Sequence, residues 1–206
     1  MAKKMKKLAV TFALVAGLTG PVAAGSNETC GLPEGIKFTA RDIARLERLE
    51  TSRSIGLAQA MRSESFADRE LIASLFEKGF EPIGSPADVI GKYQCRTIKL
   101  GGLGPAVVYG WFGCEINPED AALTIYKSTG SQRFFGLLYP AGTGLTYRGA
   151  GHYGYETEFR FYGDEADRDQ VGCLSKIAGE PGHLVLELPE PVFESAHNVI
   201  ELKHRN

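Results

Sequence analysis

The chain has 206 residues, 43% of them hydrophobic and 23% charged, a composition of folded globular proteins and not of disordered or fibrous ones. Its formal net charge is −2, but Lys3, Lys4, Lys6 and Lys7 crowd the N-terminus, and removing residues 1–24 leaves 19 basic against 25 acidic side chains, a charge of −6. That balance speaks against a nucleic-acid binder or a partner of anionic membranes.

The order along the chain begins with an address. Met1 to Lys7 is basic, Leu8 to Leu18 is a short apolar run, Gly20-Pro21 breaks it, and Val22-Ala23-Ala24 offers small residues at a cleavage site. These features predict a secretory signal peptide over 1–24, cut near Ala24-Gly25, and a periplasmic or secreted protein. Polar Asn27-Glu28-Thr29 ahead of Cys30 argues against lipidation. No later apolar run is long enough for a transmembrane segment in the mature chain.

Residues 25–92 read as a helical segment with a linker. Thr39 is a candidate N-cap with Asp42 three residues on. Ile43, Leu46, Leu57, Ala60 and Met61 share one helical stripe, which Arg53 interrupts, and the poor helix formers of Thr51 to Gly56 predict a break there. Phe66 to Lys78 reads as a second helix that Gly79 stops, and Pro82 to Gly91 as a linker.

Residues 93–206 read as an antiparallel β domain. Strands are expected at Tyr93–Leu100, Ala106–Ile116, Ala122–Thr129, Gln132–Tyr139, Leu145–Tyr155, Gln170–Ile177, His183–Leu188 and Phe193–Lys203, separated by glycine-rich turns. Seven or eight short strands in sequence make an α+β, mainly β fold, with the front helices packed on a barrel-like sheet. A barrel is preferred to a sandwich.

Four cysteines in an exported chain suggest two disulfides, and no Cys-x-x-Cys pair points to zinc or redox chemistry. Folding Tyr93–Ile116 about Gly101-Gly102-Leu103-Gly104-Pro105 places Cys95 directly opposite Cys114, within disulfide reach. Cys30–Cys173 then follows by elimination.

Cys95-Arg96-Thr97-Ile98-Lys99-Leu100-Gly101 is followed by Phe112-x-Cys114-x-Ile116. Next come Thr129-Gly130-Ser131-Gln132-Arg133, then Arg168-Asp169-Gln170-Val171-Gly172, then Glu194-Ser195-x-x-x-Val199-Ile200-Glu201-Leu202. In this order they resemble a family of exported bacterial proteins, domain-of-unknown-function family four-eight-nine-three. The resemblance covers roughly Gln94 to Leu202, and the family tends to carry Leu-Asp where this chain has His197-Asn198. It implies no reaction, cofactor or partner.

Function must be argued from residues. None of the four histidines stands in a metal-binding spacing, and Gly-x-Ser-x-Gly is absent. A Ser131–His152–Asp169 triad can be drawn, but Ser131 is ordinary turn chemistry. The acids of Asp164 to Asp169 could gather calcium, but Arg168 among them favours a solvated loop of ion pairs. Neither a catalytic residue nor a metal ligand nor a cofactor is therefore expected. The candidates for ligand binding are the polar residues within the strand motifs: Arg96, Gln132, Arg133, Arg168, Asp169 and Glu194. Their structural alternative is an internal ion pair, such as Arg133 with Glu194 or Asp169. Five aromatics in the run from His152 to Tyr162 are a further candidate contact surface. The expected function is a non-enzymatic exported module that binds a small ligand or an envelope protein. The alternatives are an envelope hydrolase and an inhibitor of a secreted enzyme such as a lysozyme.

Overall fold

The computed structural model describes residues 30–205, so the expected signal peptide and its expected cleavage site lie outside the described residues. Three helices come first: α1 (Ala40–Glu47), α2 (Leu49–Ala60) and α3 (Phe66–Glu77). Ten strands follow: β1 (Phe80–Glu81), β2 (Gly91–Leu100), β3 (Ala106–Val108), β4 (Phe112–Glu119), β5 (Ala122–Lys127), β6 (Gln132–Ala141), β7 (Gly144–Tyr153), β8 (Asp169–Ile177), β9 (His183–Pro189) and β10 (His197–His204). Antiparallel pairing runs β8-β7-β6-β5-β4-β2-β10-β9, and β9 returns to β8. Eight strands thus close a barrel, with β1 added beside β8 and β3 beside β2.

Alternation along the strands sorts side chains between two cores. Tyr93, Cys95, Ile116, Ile125, Leu138, Tyr147, Leu174, Leu186 and Ile200 point inward and fill the barrel. Ile98, Leu100, Ile177, Val185 and Val199 point outward and meet Ala60, Ile72 and Leu75 of the helices. The helices therefore cover the β8-β9-β10-β2 wall.

Thr39 caps α1 as its sequence indicates, accepting from the Asp42 amide at 3.1 Å and donating to its carboxylate at 2.7 Å. The helix expected over Phe66 to Lys78 forms as Phe66–Glu77, with Ser65 as its N-cap, Lys78 as its C-cap and Gly79 at φ 70° beyond its end. The break falls elsewhere than expected. It lies at Arg48, between α1 and α2, while Thr51 to Gly56 is continuous helix. Gly56 is there for contact: a Cβ on it would lie 2.8 Å from His197 Cβ and 3.0 Å from Leu100 Cβ. The glycine lets α2 touch the barrel.

The β2–β4 register corrects a second expectation. Cys95 faces Phe112, and Cys114 faces Tyr93, because residues 109–111 bulge out between β3 and β4 instead of continuing one strand. The Cys95–Cys114 disulfide still forms, across the diagonal of the ladder at a Cα separation of 5.8 Å. Cys30–Cys173 is the other bridge, at 5.6 Å. The last strand also begins later than expected, at His197, because Glu194 takes a left-handed φ of 72° that no strand residue adopts.

The Pro82–Gly91 linker has a structural task. Its 3-10 turn, Pro86–Val89, sends Val89 into the barrel core beside Ile83, and the Tyr93 hydroxyl donates to the Val89 carbonyl at 2.8 Å. This segment stoppers the end where β2 begins and β10 finishes. The opposite end is open.

Candidate functional site: the open mouth of the barrel

The mouth is framed by the ends of β2, β5, β7 and β9 and the starts of β4, β6, β8 and β10. It holds a cavity of about 380 Å³, within the usual range of small-molecule sites. Phe134, Leu188 and Ile200 give its apolar wall, while Thr97, Lys99, Gln132, Gln170 and Asn198 project polar atoms from inward positions. Two turns overhang it. One brings Leu103 and the other Val192 and Phe193, all solvent-exposed, Leu103 by 89%. The turns are stitched together, since the Leu103 amide donates to the Glu194 carbonyl at 2.9 Å.

Five of the six predicted binding residues line this cavity: Gln132, Arg133, Arg168, Asp169 and Glu194. They come from three segments far apart in the chain. Arg96 does not join them. It lies outside the barrel, bonded to Glu201 at 2.5 Å with its guanidinium 4.3 Å from the Trp111 ring. Lys99, three residues on and therefore on the opposite face, is the β2 cation that faces the mouth. The sequence singled out Arg96 without fixing which face of β2 turns inward. The inward Tyr93 and Cys95 carry that signal by parity.

The internal ion pair expected for Arg133 does not form. Arg133 Nε donates to the Gly130 carbonyl at 2.9 Å, and no carboxylate is within ion-pair distance among the described residues. Glu194 instead holds the Lys99 ammonium. The Asp169 carboxylate accepts from the Gly163 amide at 2.8 Å, and burial pushes its carboxyl above the usual value. Arg168 lies 4.4 Å over the Tyr153 ring, between Glu156 at 3.5 Å and Glu165 at 3.7 Å. From outside, Arg45 donates to the carbonyls of Pro189 at 3.1 Å and Asp169 at 3.2 Å, tying together the unpaired ends of β8 and β9.

Behind Gln132 sits Lys127, which the sequence reading did not single out. Its ammonium donates to the Gln132 carbonyl at 2.8 Å and lies 4.1 Å from the Phe112 ring. Burial first, and the Arg133 charge second, bring its pKa down to about 8. Lys127 and Arg133 leave this side of the mouth with positive charge that no acid among the described residues offsets.

Acyl-transfer chemistry finds no assembled machinery here. Asp169 is engaged by Gly163, and the His152 ring nitrogens have no hydrogen-bond partner among the described residues, so Ser131, His152 and Asp169 form no relay. Burial also holds the His152 imidazole below its usual pKa. A serine–histidine–acid chain does occur elsewhere: Ser52 Oγ lies 2.9 Å from His197 Nδ1, and His197 Nε2 lies 3.1 Å from Glu187 Oε1. It is fully buried beneath α2, and Arg53 grips Glu187 through two nitrogens, at 2.6 and 2.5 Å. Its role is to clamp the helix. In the aromatic run from His152 to Tyr162, Phe159 and Phe161 pack on Phe135 at 4.9 and 5.3 Å and Tyr155 stacks on Tyr153, and all three stay exposed.

A family model described as Domain of unknown function (DUF4893) matches residues 36–202. The chain belongs to this family. No curated protein and no solved structure matches it. Three of the segments that carry the family resemblance, around Gln132-Arg133, Arg168-Asp169-Gln170 and Glu194, meet at the mouth. The match includes the helices as well as the barrel.

Proposed function

We propose that the protein is an exported, non-catalytic module that captures a small ligand in the open mouth of its barrel. The observation that carries this reading is a cavity of about 380 Å³ into which Thr97, Lys99, Gln132, Gln170 and Asn198, from strands far apart in the chain, project polar atoms. A barrel stoppered at one end and open at the other is a common container for a single small molecule. Two disulfides and a signal-like N-terminus support an oxidising compartment. The exposed lip of Leu103, Val192 and Phe193 favours one further reading, an envelope protein that seats a side chain in the same mouth.

Native mass spectrometry of protein purified from the periplasm tests the first reading. Wild type should carry a small molecule that Gln132→Trp, a rim position facing the cavity, loses without a change in melting temperature. Wild type and variant both free of any adduct, and equal in thermal-shift response to a metabolite panel, would reject it. Recovery of a protein partner that Phe193→Ser abolishes would move the assignment to the second reading.

A further inference from the structure

The chemistry of the mouth narrows the occupant, on the premise that the mouth is a small-molecule site. We infer that the cavity takes an amphipathic carboxylate whose anionic group binds Lys99, and that the Glu194 carboxylate stands in that place while the site is empty.

Lys99 projects inward from the end of β2, its stem buried and its ammonium at the cavity. Among the described residues its acid is Glu194 alone. Glu194 does not belong to the barrel wall. It sits on the turn before β10, its side chain is 44% exposed, and its φ of 72° is rare for a residue bearing a Cβ. The turn is nonetheless held closely, because a Cβ on Gly102 would meet the Glu194 carbonyl at 2.2 Å. A carboxylate from an overhanging turn, set on a cation inside a cavity, has the geometry of a ligand group supplied by the protein itself. Swapping it for an external carboxylate preserves the charge-assisted hydrogen bond and returns Glu194 to water.

The surroundings specify the remainder of the ligand. Lys127, inward on β5, adds positive charge on the β5–β6 side that no acid among the described residues offsets. Phe134, Leu188 and Ile200 provide an apolar wall, which the exposed Leu103, Val192 and Phe193 extend outward. One charged head and an apolar body match this division better than a polyhydroxylated sugar, which would need polar groups along the whole wall.

Calorimetric titration with octanoate, and with octanamide as its uncharged isostere, tests the inference. Octanoate should bind wild type. Glu194→Gln, which frees Lys99, should bind octanoate about tenfold more tightly, and Lys99→Met should lose about tenfold or more, each the worth of one charge-assisted contact. Lys99→Arg should keep most of the affinity. Because Glu194 is half in solvent, Lys99→Met strands no buried charge, and its melting curve checks that it folds. If octanamide binds as tightly as octanoate and neither variant shifts the affinity, the anionic class is overturned while small-molecule capture stands. If neither compound binds wild type or Glu194→Gln, the inference fails. Capture itself fails only if native mass spectrometry also finds no ligand.

Discussion

Lys127 occupies an interior strand position, 4% exposed and without a carboxylate partner among the described residues, which few lysines do. Its pKa of about 8 lies below the ordinary 10.5. Between those two values the unfolded chain holds a proton that the folded chain has released, so this residue makes stability rise with pH across that window. Tyr93 works the other way above pH 10, because burial raises its hydroxyl to about 12 and the unfolded chain ionises first. Lys127→Met should raise the melting temperature at pH 7 and flatten the rise between pH 8 and 10; a lower melting temperature would mean that the ammonium helps hold the barrel. Arg53 is the opposite case. Burial raises the Glu187 carboxyl, but hydrogen bonds from His197 and Arg53 more than offset it, and the result lies below the usual value. A depressed carboxylate stabilises the fold above its unfolded pKa, and that stability drains away as pH falls through the folded one. Arg53→Met should therefore cost about 3–5 kcal/mol at neutral pH, out of about 5–15 for a domain of this size. Its denaturant midpoint should also depend less on pH below 5 than that of wild type.

At the level of elements, the contact between α2 and the barrel sets the helical layer. Alanine in place of a mid-helix glycine ordinarily gains about 1 kcal/mol. At Gly56 the added methyl would collide with His197 and Leu100, and overpacking of a well-filled contact costs about 1–3 kcal/mol. Gly56→Ala should thus lower the melting temperature by a few degrees, whereas a rise would show that α2 can stand off from β10. The same residue shows what the sequence can and cannot convey. Local chemistry was readable where a signal acts on its own segment: Thr39 and Asp42 at a cap, Gly79 as a stop, and Gly130-Ser131, whose turn places Lys127 opposite Phe134. Gly56 looked like a helix breaker because its reason lies on another element. The β2–β4 register failed for a similar cause, since the bulge at 109–111 is decided by pairing with β2 and not by its own composition. In the mouth, Gln132, Arg133, Arg168, Asp169 and Glu194 were legible as polar residues in apolar strands. Lys127, Asn198 and the overhanging Leu103 became visible only when the closed sheet brought them together.

Across the whole molecule, Cys30–Cys173 joins residues 143 apart, the longer of the two loops by far. Chain entropy then predicts that Cys30→Ser with Cys173→Ser costs about 2–5 kcal/mol in urea unfolding; an unchanged midpoint would assign the bridge no part in stability. The bridge also fixes where the chain enters. Next to Cys30, the Gly31 amide donates to the Ala141 carbonyl, and Thr146 donates to the Gly31 carbonyl at 2.6 Å, both at the β6–β7 hairpin on the stoppered end. Arg205 leaves from that end too, its amide bonded to the Lys92 carbonyl at 2.8 Å. The first and last described residues, Cys30 and Arg205, thus both lie at the base of the folded body, away from the mouth. Anchored to a sensor chip or a bead by either tail, the barrel would stand upright like a cup on a saucer, its rim turned toward the passing solution.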